Sequence, residues 1–255
     1  MYRMIIRKTP EQVDLMAASG EILVRCMKML ESKVRAGITT EELDAAAEKY
    51  IRSQGAILAF KGFRGFPGSI CASPNSMVVH GIPGPYELKR GDIISIDIGV
   101  IKDGWVSDAA MTFPVGPVST EAKRLLEVTK ASLFEGIEQM RPGNHLGDVG
   151  AAVQRSVEAE GLSVIRTLVG HGIGRDMHEE PQVPNFGEPG KGPELEEGMV
   201  LAIEPMVNAG GPLVRMADDG WSVFSEDGSL AAHFEFTVAV TPDGPRVLTP
   251  WHLDD

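Results

Sequence analysis

The sequence predicts an α+β domain made of two related halves around one site. Three observations carry this: a helix pair opens the chain, a second pair begins after Ser119, and strand-like segments follow each pair. Placed 106 residues apart, Arg35 falls on Arg141, Gly37 on Gly143, Ala45 and Ala46 on Ala151 and Ala152, and Gly55 on Gly161. The echo points to internal duplication within a single domain, residues 1–255, with halves near 10–115 and 116–250.

Taken in order, Thr9-Pro10-Glu11 reads as a helix start, with Thr9 as N-cap and proline in the first turn. The helical pattern runs from Val13 to about Val34, and Gly37 stops it. Thr39 and Glu42 have capping-box spacing and open a second helix that runs to Gly55. A third helix follows Ser119 and ends near Arg141-Pro142-Gly143, and a fourth extends from about Leu146 to Gly161. Strand composition marks Val200 to Val207 and His233 to Thr241, and Pro184 to Pro193 is a Gly/Pro-rich loop.

Composition sets the class. The 255 residues, 43% of them hydrophobic, suffice for a large core, and no linker divides them. The opening residues lack the apolar core of a signal peptide, and no run approaches the roughly 20 apolar residues of a membrane span, so a cytoplasmic protein is expected. Cys26 and Cys71 are too few for a disulfide framework, and Cys26 falls in a helical pattern where packing is its expected role. With 36 acidic against 24 basic residues, the net charge of −12 argues against nucleic acid or an anionic membrane as partner.

The segment Ile93 to Ile101, followed by Lys102-Asp103-Gly104 and then Trp105 to Asp108, reads as a hairpin. A turn at Lys102-Asp103 sets Asp97 opposite Asp108, whereas a turn at Asp103-Gly104 makes them diagonal neighbours on one face. Either register brings two carboxylates together. Ser95, Gly99, Ala110 and Thr112 share their face, and Ile94, Ile96, Ile98 and Val100 line the other. Paired anions in an apolar strand repel unless one is protonated or a cation lies between them; the plainer alternative is a solvated hairpin face.

Two further acids, Glu204 in Ile203-Glu204-Pro205 and Glu235 in Phe234-Glu235-Phe236, lie in apolar strand segments, where burial demands a partner. His171 sits among glycines in Gly170-His171-Gly172-Ile173-Gly174, and His178 precedes Glu179-Glu180, which would favour its protonated form. His145, His233 and His252 read as ordinary loop or core histidines. Two Asp, two Glu and one His suit a pair of hard or borderline ions such as Mn²⁺, Fe²⁺, Co²⁺ or Zn²⁺, which together can activate one water.

These residues carry a resemblance. Ser69-Ile70-Cys71 with Asn75, Val79-His80-Gly81-Ile82-Pro83, Ser95-Ile96-Asp97-Ile98-Gly99, and Asp103-Gly104 followed by Asp108 all match one pattern. So do the His171 glycine run, His178-Glu179-Glu180-Pro181, Ile203-Glu204-Pro205, Asp219-Gly220-Trp221 and Glu235, in order. Over nearly its whole length the chain resembles the type I methionine aminopeptidases. The resemblance implies a pita-bread fold, in which pseudo-two-fold halves wrap a curved antiparallel sheet, flanked by helices, around a dinuclear metal site.

It further implies that Asp97 binds one metal bidentately and His171 the other, that Asp108 and Glu235 bridge, and that Glu204 binds metal and relays protons. His80 and His178 would contact substrate, and Cys71, Phe63, Phe66, Met177 and Trp221 would line a methionine pocket. The chain has Phe63 and Phe66 where many relatives carry tyrosine, Met177 for phenylalanine, Gly99 for threonine and Phe236 for histidine. The implied activity is removal of the initiator methionine from peptides and nascent chains with a small second residue, by a compact bacterial-type monomer that meets the ribosome transiently. A rival on the same fold is an Xaa-Pro aminopeptidase or prolidase, which normally carries an extra N-terminal domain. A second rival is a non-catalytic binding scaffold, which typically loses metal ligands, whereas all five positions are filled here.

Overall fold

Thr9 opens α1 (Pro10–Glu31), whose first-turn proline lacks only an N–H that would have had no helical partner. The Gln12 N–H donates to the Thr9 hydroxyl, and the Thr9 N–H donates to the Gln12 side chain, a capping box in addition to the expected cap. The helix ends at Glu31, short of Val34, because Gly37 (φ +89°) turns the chain and donates its N–H to the Leu88 carbonyl. The Thr39/Glu42 box opens α2 (Thr40–Ser53), and Ser119 caps α3 (Thr120–Ile137); α4 spans Leu146–Ala159.

This computed structural model describes residues 4–250, so Met1–Arg3 of the opening stretch and His252 lie outside the described residues. The 106-residue echo recurs in the backbone. α2 and α4 contain 14 residues each, Gly37 and Gly143 have φ of +89° and +87°, and Gly55 and Gly161 have +64° and +67°. A side chain is strained at all four positions, which accounts for the repeated glycine.

The strands pair antiparallel throughout. In the first half, the strand Ile93–Lys102 pairs on one edge with Trp105–Pro114 and on the other with Cys71–Pro74 and Ile57–Leu58. In the second half the order is Gly244–Val247, Phe236–Thr241, Val200–Ile203, Gly170–Gly172, Glu179–Val183. The halves meet along Trp105–Pro114. The Asp108 N–H donates to the Thr237 hydroxyl (3.0 Å), the Glu235 N–H donates to the Ala110 carbonyl (2.9 Å), and the Thr112 hydroxyl bonds both N–H and carbonyl of His233.

Both faces of the hairpin are buried, so the solvated-face alternative is excluded. Ile94, Ile96, Ile98 and Val100 are completely buried in one core with Leu23, Cys26 and Leu30 of α1. Burying such a side chain contributes about 1.5–3 kcal/mol, which fixes the register, since a one-residue slip would send the isoleucines to the carboxylate face. Cys26 is a packed thiol, pushed up to about 12 by burial. No helix among the described residues is long and apolar enough to cross a membrane.

Candidate metal centre

Asp103 and Gly104 have φ of +52° and +76° and form the two-residue turn, so Lys102 pairs with Trp105 and Gly99 with Asp108. Of the two possible registers this is the diagonal one. Asp97 lies opposite Ala110, and the shared face carries Ser95, Gly99, Ala110 and Thr112 as the alternation predicts. Both carboxylates line one cavity. Cys71 pairs with Asp97 on the opposite edge, which ties the wall of the cavity to its floor.

His171 sits in the second sheet, in the strand Gly170–Gly172 between Val200–Ile203 and Glu179–Val183. A Cβ on Gly170 would lie 2.3 Å from the Ala202 carbonyl oxygen, and one on Gly172 would lie 2.2 Å from that of Glu180. The flanking glycines are therefore a packing requirement, letting two backbones close on the strand that carries the imidazole. His171 Nδ1 lies 2.9 Å from the Gly172 carbonyl oxygen and donates to it, which leaves Nε2 as a lone-pair donor facing the acids. That Nε2 is 3.6 Å from Glu204 Oε1 and 4.0 Å from Asp108 Oδ2.

The other two acids occupy strand breaks, contrary to the expectation of continuous strands over Val200–Val207 and His233–Thr241. One strand stops at Ile203 and the next, Met206–Asn208, belongs to another sheet; Pro205 lacks the N–H that continuation would need. Likewise Ala231–His233 and Phe236–Thr241 pair with different partners, and Glu235 turns its backbone to Ala110. Each break frees a glutamate from the pleat and aims it inward. His233, buried, is also drawn in: its Nε2 lies 3.7 Å from Glu204 Oε2 and 3.6 Å from Glu235 Oε2.

Burial dominates the electrostatics. It pushes Asp97 up to about 7 and drives Asp108, Glu204 and Glu235 well above the usual carboxylate range, with repulsion among the acids adding to the last three shifts. It pulls His171 down to about 4 and His233 to about 3, so both rings are neutral. Asp97 Oδ1, Asp108 Oδ1 and Glu235 Oε1 are buried and find no hydrogen-bond partner. Four carboxylates, three of them with an unpaired buried oxygen, beside neutral imidazoles fit divalent cations, which satisfy such oxygens and favour the ionised acids.

The acids and His171 form the floor of a cavity of about 210 Å³ whose wall includes Phe63, Phe66, Cys71, Met177 and Trp221, all five side chains of the expected pocket. Phe66 meets Trp221 edge-on at 5.1 Å. The loop bearing both phenylalanines is clamped to α2: Asp44 accepts from the Ser69 and Ile70 N–H groups, and Glu48 from Lys61 and Ser69. Asp219 fixes Trp221 by accepting its N–H and that of Ser222. Burial and the nearby acids hold the Cys71 thiol protonated, as an apolar wall rather than a ligand.

His80 and His178 lie at the cavity wall near its opening. The His178 ring is 4.3 Å from that of His171 and 5.4 Å from that of Phe63. Glu179 and Glu180 do not hold His178 protonated. The Glu179 carboxylate turns to Lys8, while desolvation and the neighbouring His171, Arg64 and His80 lower His178 to about 3. It is a neutral N–H donor. Sequence reasoning missed Phe60, Arg64, Leu168 and Met206 on the same wall; only the Gly62 to Gly65 turn around Arg64 carried a local signal.

Residues 14–242 match metallopeptidase family M24. A methionine aminopeptidase of Clostridium perfringens is 55% identical over 96% of this chain and 99% of its own length. Methionine aminopeptidase 1 of Bacillus subtilis is 51% identical over the same shares. The crystal structure of methionine aminopeptidase from Rickettsia prowazekii superposes with a TM-score of 0.95 at 42% identity, covering 96% of this chain and all of that one. The fold is thus the pita-bread fold that the resemblance implies, and the chain belongs to the type I methionine aminopeptidases of metallopeptidase family M24.

Proposed function

We propose that this protein removes the initiator methionine from peptides and nascent chains whose second residue is small, using two divalent ions held by Asp97, Asp108, His171, Glu204 and Glu235. The observation that carries the reading is the convergence of these five side chains, with unpaired buried oxygens among them, on the floor of a cavity walled by thioether, thiol and aromatic groups. When bound, such an ion pair acidifies water and withdraws electrons from the scissile carbonyl. Asp108 and Glu235 would bridge the two ions.

The remaining chemistry belongs to the chain's own residues. Cys71, Phe63, Phe66, Met177 and Trp221 hold the methionine side chain, the soft thioether lying among aromatic rings. The preference for a small second residue is carried over from the resemblance to the methionine aminopeptidases. His80 and His178 donate N–H groups to the peptide, and His178 opposes charge that develops on its carbonyl oxygen. Glu204 takes up a proton and returns it to the leaving amine; its burial, which raises its proton affinity, supports that role.

We read residues 1–255 as one catalytic domain of two related halves, near 10–115 and 116–250, acting as a cytoplasmic monomer that meets the ribosome transiently. Buried, unpaired Cys26 and Cys71 accord with a reducing compartment. Co²⁺, Mn²⁺, Fe²⁺ and Zn²⁺ all suit the donor set. The deciding assay gives metal-reconstituted protein Met-Ala-Ser, Met-Leu-Ser and Ala-Pro-Ser. Release of methionine from the first alone is expected, and release of alanine from the third with none from the first would instead indicate a proline-directed peptidase.

A further inference from the structure

His233 has no part in the reading above, yet the residue is 2% exposed and its Nε2 finds no hydrogen-bond partner. A buried imidazole nitrogen is ordinarily paired. The nearest acceptors, Glu204 Oε2 at 3.7 Å and Glu235 Oε2 at 3.6 Å, are too far for a hydrogen bond. They are instead at the separation of atoms sharing one cation: donors about 2.1 Å from an ion stand roughly 3–4 Å apart.

The arrangement is doubled. Donor atoms of Asp108, His171 and Glu235 lie within 4.8 Å of one another, and so do those of Glu204, His233 and Glu235. Glu235 is common to both groups. Glu204 spans the two rings, with Oε1 3.6 Å from His171 Nε2 and Oε2 3.7 Å from His233 Nε2. The His233 backbone is held on both sides by the Thr112 hydroxyl, which also meets Ser95 Oγ at 2.8 Å. The ring is therefore presented from a fixed strand end, as a preorganised ligand would be.

We propose that His233 is a sixth metal ligand, binding through Nε2 and holding with Glu204 and Glu235 a cation of the pair. This rests on the metal-dependent reading of the same site. It brings a second imidazole to the centre beside His171, and so favours Fe²⁺, Co²⁺ or Zn²⁺ over Mg²⁺ there.

The test uses the full-length protein loaded with Co²⁺. Ligating rings give strongly shifted, solvent-exchangeable N–H proton resonances, and two are expected in the unaltered protein, one each from His171 and His233. In His233→Gln one should vanish. Calorimetric titration should show one equivalent of Co²⁺ weakened at least tenfold, the loss typical when even a ligand's hydrogen-bond partner is removed, with the other unchanged. One exchangeable resonance in the unaltered protein with two cobalt ions bound would overturn the assignment and leave the proposed function standing. Failure of the unaltered protein to bind cobalt at all would overturn both.

Discussion

Lys8 Nζ lies 2.6 Å from Glu179 Oε2, an ion pair whose side chains are 2% and 4% exposed. It joins the segment before α1 to the residue after His178. The same glutamate accepts the Arg175 and Asp176 N–H groups, and Lys8 also donates to the Ile6 carbonyl, so the pair organises the loop that carries Met177 and His178. Removing one charge strands the other in a site where it cannot be hydrated.

Lys8→Met should therefore destabilise the protein by about 3–5 kcal/mol in urea unfolding and reduce turnover through a loosened His178, while bound metal is unchanged. A variant of unaltered stability would show that the pair is solvated in solution.

Gly99 and Met177 are interlocked in the methionine pocket. A Cβ on Gly99 would lie 2.7 Å from Met177 Cε and from Phe60 Cε1, so the long thioether fills space that a threonine would occupy. Gly99→Thr should cost about 1–3 kcal/mol and raise KM for Met-Ala-Ser. Adding Met177→Ala should recover part of both losses, and strict additivity in the double-mutant cycle would show that the residues do not compete for space.

Much of this site was legible in the sequence because its signals were local. Asp103-Gly104 is a turn dipeptide, and once it is the turn, alternation alone places Asp97 and Asp108 on one face. What the sequence hid is tertiary. Glu204 and Glu235 looked like acids within strands, since the partners that end each strand, above all Ala110 across the seam between halves, are distant in the chain. His233 is silent for the same reason: only the fold brings it to Glu204. Glu179 looked like a partner for His178 because Lys8, 171 positions away, is invisible to local reading.

The metal-free protein should respond to pH in two opposing ways. Asp97, raised to about 7, and the other raised acids bind protons in the folded state that the unfolded chain has released, so stability should rise as pH falls from 8 to about 6.5. Below about 6.5, the ordinary histidine value, the unfolded chain takes up protons that His171 at about 4 and His233 at about 3 refuse, so the rise should become shallower. Metal requires the ionised acids, so its stabilising effect should be largest at pH 8. Melting curves across pH 5–8, with and without Mn²⁺, check this; a metal-free Tm that rises steadily from pH 6.5 to 8 would contradict it.

His178→Ala should keep its metal and its KM while turnover falls on the order of 10²–10³, since it removes one donor to developing charge. His171→Ala should lose metal as well. Elemental analysis beside steady-state kinetics separates them, and equal metal loss in the two variants would move His178 into the ligand set.

The central claim is that a metal pair held by buried carboxylates performs the cleavage, and it is tested most directly by titrating metal-free protein with Mn²⁺ while measuring bound metal and methionine release from Met-Ala-Ser in the same samples. Asp108→Ala is carried in parallel, because Asp108 Oδ1 is one of the buried oxygens without a partner. The account predicts that release climbs with bound metal toward two ions per chain and that Asp108→Ala loses occupancy and activity together. Full activity in protein stripped of metal would contradict it.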